Sequence, residues 1–120
     1  MPTCSYLRIN SATPKWYLLA HIAGGIAVSI DACLTSYQNT LPVKVTFNAI
    51  GFSNLANLKV YLTGNIQGSY NLKLKYKKDA SSVKIWCFAG DITIMLSRPL
   101  SNVLIEQEPD EDSIDITGNI

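Results

Sequence analysis

Histidine occurs once in this chain of 120 residues, as His21, and only three acids, Asp31, Asp79 and Asp91, precede position 106. That scarcity narrows the chemistry on offer. A Ser-His-Asp arrangement has to recruit His21, and no serine lies in the GxSxG turn that presents such a nucleophile. Paired carboxylates for glycosidic chemistry need two acids in one cleft, whereas two of these three sit in or beside turns. His21 lies inside an apolar segment without cysteine or carboxylate neighbours, so it reads as a packed or interfacial imidazole and not as a metal ligand or general base.

Other absences point the same way. The glycines of Gly24-Gly25 and Gly64 to Gly68 fit neither GxxxxGK nor GxGxxG, which excludes the common phosphate loops. Cys4, Cys33 and Cys87 are odd in number, widely spaced and without a CxxC pair. They read as reduced thiols, Cys33 and Cys87 in the core, with no disulfide and no metal site. The opening residues lack the basic-then-apolar pattern of a signal peptide, and no run approaches the about 18 apolar residues of a membrane helix. Charged residues make up 16% of the chain and hydrophobic residues 48%, and no stretch has the amphipathic period of a helix.

What is present is alternation. Tyr70-Asn71-Leu72-Lys73-Leu74-Lys75-Tyr76-Lys77 takes apolar and polar residues in turn, the signature of a half-buried strand. Its period of two sends Tyr70, Leu72, Leu74 and Tyr76 inward and the lysines outward. A slip of one residue buries three lysines, so its register is strongly fixed. Residues 16–23, 27–35, 42–50, 59–63, 83–89, 91–97 and 103–107 read as further strands, with Gly24-Gly25 as a hairpin turn and Gly90-Asp91 as another. Eight short strands predict an all-β fold, an antiparallel β-sandwich or jelly roll, with a closed barrel as the alternative. Residues 1–15 are expected as an extended lead-in, 16–106 as the sandwich and 107–120 as an acidic tail. One domain of this length buries roughly two-thirds of its unfolded surface.

Net charge is +1, but its distribution is uneven. Residues 1–105 carry all ten lysines and arginines and a net +7, and residues 106–120 carry six acids. The plain reading is a solvated tail; the sharper one lays the tail on the lysine-bearing face of its own or a neighbouring subunit. Lys73, Lys75 and Lys77 form a row that guards a sheet against edge pairing. The tyrosines of the same strand face the other way and cannot stack bases beside them, so no nucleic-acid partner is expected. On the sixth strand Trp86 and Phe88 share the outer face with Lys84, and the first strand is apolar on both sides. Both features predict burial against copies of the chain, with Trp16, Tyr17, Leu19, His21, Trp86 and Phe88 as interface residues.

Trp16-Tyr17-Leu18-Leu19-Ala20, the strand Ala27 to Leu34, Asn71-Leu72-Lys73-Leu74-Lys75-Tyr76, and Lys84-Ile85-Trp86-Cys87-Phe88 followed by Asp91-Ile92-Thr93-Ile94 form one further pattern. It resembles the C-terminal receptor-binding domains of bacteriophage and prophage tail-fibre proteins, over about residues 16–105. The resemblance implies a homotrimeric, non-catalytic virion domain without cofactor or metal, which attaches to glycan or protein on a bacterial surface. No shaft or tail-attachment region precedes Trp16, so the expectation is an excised tip or a stand-alone virion protein. The acidic tail lies outside the shared pattern. Loops held rigid by a sandwich suit such binding, and Tyr37, Gln38, Asn39, Asn65 and Gln67 are the candidate contacts: amides bond sugar hydroxyls and an aromatic stacks on a sugar ring. A structural virion component, a lectin-like module and, more distantly, a hydrolase are the alternatives.

Overall fold

A computed structural model describes residues 5–35, 41–63 and 72–120. Its strands are β1 (Ser5–Ile22), β2 (Ile26–Thr35), β3 (Val43–Gly51), β4 (Asn57–Thr63), β5 (Lys73–Lys78), β6 (Val83–Leu96), β7 (Ile105–Glu106) and β8 (Ile114–Asp115). All pairings are antiparallel, and no helix occurs among the described residues. The expected all-β fold with eight antiparallel strands is therefore present. Alternation along β2, β3 and the start of β5 is the expected one, with Leu72 and Leu74 buried and Lys73 exposed.

The two longest strands, β1 and β6, pair over most of their length and join two groups of strands into one eight-stranded sheet. On its other side β6 pairs first with β5, through Val83 to Phe88, and then with β2, through Asp91 to Leu96. One group is thus β4-β3-β2 with the second half of β6 and the first half of β1. The other is β8-β5 with the remaining halves of β6 and β1, and then β7. Inward side chains of both groups, Phe47, Ile30 and Ile94 from one and Leu74, Ile85 and Ile22 from the other, join in a single apolar core, which is compatible with a β-sandwich.

Three local expectations are corrected. Gly90-Asp91 is not a turn: the chain stays in one 14-residue strand, and β1 bulges opposite it, since Asn10 pairs with Asp91 while Lys15 already pairs with Ala89. Pro14 falls in this bulge, where its missing N–H costs no ladder bond. The bulge also absorbs part of the expected lead-in, because β1 begins at Ser5. Second, Gly24-Gly25 closes no hairpin. It joins strands that are not neighbours, carries the chain from one group of strands to the other with φ values of 75° and 85°, and donates from Gly25 N to Gly51 O at 2.7 Å. Third, regular alternation puts Trp16, Leu18, Ala20 and Ile22 on one face and Tyr17, Leu19 and His21 on the other, but a one-residue bulge between Leu18 and Ala20 changes the phase of β1. Trp16, Leu18 and His21 lie on the outer face with Phe88, Trp86 and Lys84, while Tyr17, Ala20 and Ile22 join the core.

Cys33 is exposed, not in the core, because Ala32 and Leu34 take the inward positions of β2; Cys87 is buried. Loss of hydration pushes the Cys87 thiol well above its ordinary pKa.

Candidate functional site

The acidic segment crosses the outer face of the β5 sheet as a strap. It starts as β7 on the free edge of β1, where Gln107 N donates to Trp16 O at 3.1 Å. It ends as β8 on the free edge of β5, where Ile116 N donates to Leu74 O at 2.9 Å and the Ile116 side chain is buried. Beyond that, Ile120 N reaches Val60 O on the edge of β4 at 3.2 Å. Exposed strand edges invite pairing with other chains, and one segment here covers three of them.

Ion pairs follow the same path. Asp110 lies 3.6 Å from Lys77 and 3.4 Å from Lys84, Asp112 3.4 Å from Lys77, Asp115 3.6 Å from Lys75, and Glu106 3.5 Å from Lys15. The hydrogen bond to Asp112 raises the pKa of Lys77, aided by the nearby carboxylates and opposed by desolvation. Beneath the strap Trp86 is fully buried and donates from Nε1 to Gln107 Oε1 at 3.0 Å. Trp86 and Leu18, paired across β6 and β1, stand apart from the main core and form a small apolar layer of their own.

The residues expected at an interface are thus divided. Tyr17, Leu19 and Trp86 are covered by their own chain, so they are not available to a second one. The reason lies in the strap and in the bulge at Leu19, neither of which alternation reveals. Trp16, His21 and Phe88 stay half-buried on the outer face. Tyr37, Gln38, Asn39, Asn65 and Gln67, the expected ligand contacts, lie outside the described residues.

Trp16 and Phe88 do come together. Their ring centroids are 5.3 Å apart at an interplanar angle of 54°, a tilted pair of the favoured kind. The Lys73 ammonium lies 5.5 Å from the Phe88 centroid and that of Lys75 6.0 Å from Trp16. Beside Trp16 opens a pocket of about 340 Å³ lined by Lys15, Trp16, Glu106, Gln107 and Glu108. An indole with cations, an amide and two carboxylates around it offers a stacking face and both donors and acceptors for hydroxyls. Sequence reasoning named Trp16 and Phe88 only as separate interface candidates, did not pair them, and missed Glu106, Gln107 and Glu108. Their nearness to Trp16 depends on where the strap crosses.

The other acids do not converge. Asp91 accepts from Arg8 and Asn10, each at 3.1 Å, near the β1 bulge; Asp31 accepts from Thr46 at 2.7 Å; and Asp79 lies in the turn between β5 and β6. The Asp91 hydrogen bond raises the pKa of Arg8. Among the described residues no cluster of His, Cys, Asp and Glu is placed to hold a metal ion.

No protein-family profile and no curated protein matches the chain. Among solved structures it is similar to WceF of Pantoea stewartii, described as a glycan biofilm modifying enzyme with a bacteriophage tailspike-like parallel β-helix fold. The TM-score is 0.55 at 12% identity, over 96% of this chain and 21% of that one. The chain therefore spans about one fifth of that protein's length, and at such identity the likeness is one of fold. The pairings here are antiparallel, so the parallel β-helix named for that protein is not the architecture of this chain. The likeness relates the fold to a tailspike-like protein and not specifically to a fibre tip. It also corrects the expectation of a non-catalytic chain: nearly all of this fold recurs within a protein described as an enzyme, so a scarcity of histidine and acids gives no ground for setting catalysis aside.

Proposed function

We propose that this chain is a glycan-directed module of a phage-type tail assembly, which engages polysaccharide on a bacterial surface through the Trp16 pocket. The observation that carries the reading is the half-buried Trp16–Phe88 pair at the pocket, bordered by Lys73, Lys75, Lys15 and the side chains of Glu106, Gln107 and Glu108. A sugar ring lays its apolar face on the indole and its hydroxyls bond the surrounding amide and carboxylates. The fold shared with a tailspike-like glycan modifying protein supports the same substrate class. In this reading the module works on the virion as a homotrimer.

Glu106 and Glu108 in one pocket with an aromatic floor favour a second use, in which the bound glycan is also cut, because glycoside chemistry runs on two carboxyl groups. One set of assays serves both. Binding to capsular and exopolysaccharides is measured for the native chain and for Trp16→Ala, with reducing-end release followed in parallel for Glu106→Gln and Glu108→Gln. The reading expects the tryptophan variant to lose at least about tenfold in affinity while keeping its unfolding curve. Equal binding by native chain and variant refutes it. Solution mass tests the assembly: three times 13.2 kDa is expected.

A further inference from the structure

The outer face of the β4-β3-β2 group carries a second arrangement, remote from the Trp16 pocket in the ladder. Register brings one residue from each of five strands into a single row: Tyr6 pairs with Met95, Met95 with Asp31, Asp31 with Thr46, and Thr46 with Tyr61. Tyr6 is 65% exposed, Tyr61 50% and Met95 45%. Neighbouring strands lie about 4.8 Å apart, so the two tyrosines bracket a line of about 19 Å across the sheet. At its centre Thr46 Oγ1 donates to Asp31 Oδ1 at 2.7 Å and fixes the carboxylate.

Two residues along each strand, Ser29, Asn48 and Lys59 make the adjoining row on the same face. Together with Asn57 and Ser97 they line an open groove of about 470 Å³, floored in part by Ala27 and Ile50. That volume is in the range of small-molecule sites, which pair an apolar floor with a few placed polar groups.

The chemistry selects the occupant. A surface made for a second copy of the chain is apolar and poor in charge at its centre, whereas this row has a carboxylate there with hydroxyls and amides around it. The face carries both signs, Asp31 and Asp91 with Arg8, Lys44 and Lys59, so a polyanion finds no surface of one charge. Extended chains of neutral sugars suit both features, because their apolar ring faces stack on tyrosine and their hydroxyls bond Asp31, Thr46 and Asn48. We propose that this face is a second glycan site, which holds a neutral polysaccharide laid across the strands from Tyr6 to Tyr61. The proposal rests on the glycan reading above and adds to it the ligand's neutrality and its extended form.

The test uses the full chain and neutral hexose oligosaccharides from disaccharide to octasaccharide, with alginate as the anionic comparison. Affinity should rise with oligosaccharide length. Tyr6→Ala with Tyr61→Ala should abolish that rise, at a cost of about tenfold for the octasaccharide, and Asp31→Asn should weaken binding with the fold unchanged. Trp16→Ala should keep the dependence on length. If the tyrosine variant keeps the native dependence while Trp16→Ala removes all binding, this face is no glycan site and the Trp16 reading stands. Binding of alginate alone, or a tyrosine variant that changes the solution mass and not the affinity, also overturns the proposal. A native chain that binds none of the probes defeats this proposal and the glycan reading together.

Discussion

Trp86 donates its indole N–H to the side-chain carbonyl of Gln107 at 3.0 Å, so the largest side chain under the strap is tied to the segment that covers it. A buried N–H without a partner is destabilising by about 1–3 kcal/mol. Gln107→Leu keeps the length and apolar contact of the side chain but removes the acceptor, and should lower unfolding stability by about that amount in urea titrations. Gln107→Glu restores an oxygen and should recover most of the loss. Equal midpoints for Gln107→Leu and the native chain show that the indole finds another acceptor.

Gly51 closes β3 against the backbone of Ile22 and Ala23, where the chain leaves β1. A Cβ there meets the carbonyl of Ile22 and the backbone of Ala23, and backbone does not swing aside as a side-chain tip does. Gly51→Ala should therefore destabilise by about 1–3 kcal/mol, as overpacking does. Gly118 has open space around its Cβ position, so Gly118→Ala should stay within about 0.5 kcal/mol of the native chain. Thermal unfolding of the two variants side by side reads the difference.

Cys87 gives the stability a pH dependence of known sign. Its folded pKa is raised by burial above the ordinary 9.0, so the folded state holds the neutral thiol where the unfolded chain ionises. The contribution is complete below about pH 9 and is lost as pH rises beyond it, since the unfolded state alone gains by releasing the proton. Unfolding midpoints should fall from about pH 9 upward, and Cys87→Val, which has no proton to lose, should flatten the early part of that fall. In native protein a thiol reagent should label exposed Cys33 and leave Cys87 unmodified until denaturant is added. Rapid labelling of Cys87 at neutral pH contradicts the burial.

Much of this fold is legible in the chain because burial on one side of a strand is a local property. Val43, Val45, Phe47 and Ala49 announce their inward face, and so do Leu72 and Leu74. Pairing partners are not local. Gly90-Asp91 has the composition of a turn, and only the bulge opposite it in β1 shows that the strand continues. The phase of β1 beyond Leu18 is set by one extra residue that pairs with nothing, which a regular period cannot register. The strap was half legible: its acids and the opposing lysines suggested contact, and Ser113-Ile114-Asp115-Ile116-Thr117 alternates as a strand does. Its crossing over Trp86 depends on where β1 and β5 place their free edges, and that decides which glutamates border Trp16.

Removing residues 107–120 separates the two forces that hold the strap. Its ion pairs are partly exposed, with Asp115 and Asp112 about 70% accessible and Asp110 34%, and pairs open to water contribute little and weaken with salt. Lys77 has a raised pKa, so its share is complete below the ordinary 10.5 and is lost above it. Ile116 is buried, and burial of one such side chain contributes about 1.5–3 kcal/mol that salt does not screen. In a Trp16→Phe background, where Trp86 is the sole tryptophan, the truncation should shift its fluorescence to the red and cost more than about 2 kcal/mol in urea. The untruncated chain should keep its blue-shifted emission from low salt to about 1 M, where the screening length is about 3 Å. If salt alone shifts the emission as far as truncation does, charge and not burial holds the strap, and Asp110→Asn, which removes the carboxylate shared by Lys77 and Lys84, should then reproduce the truncation instead of costing less than about 1 kcal/mol.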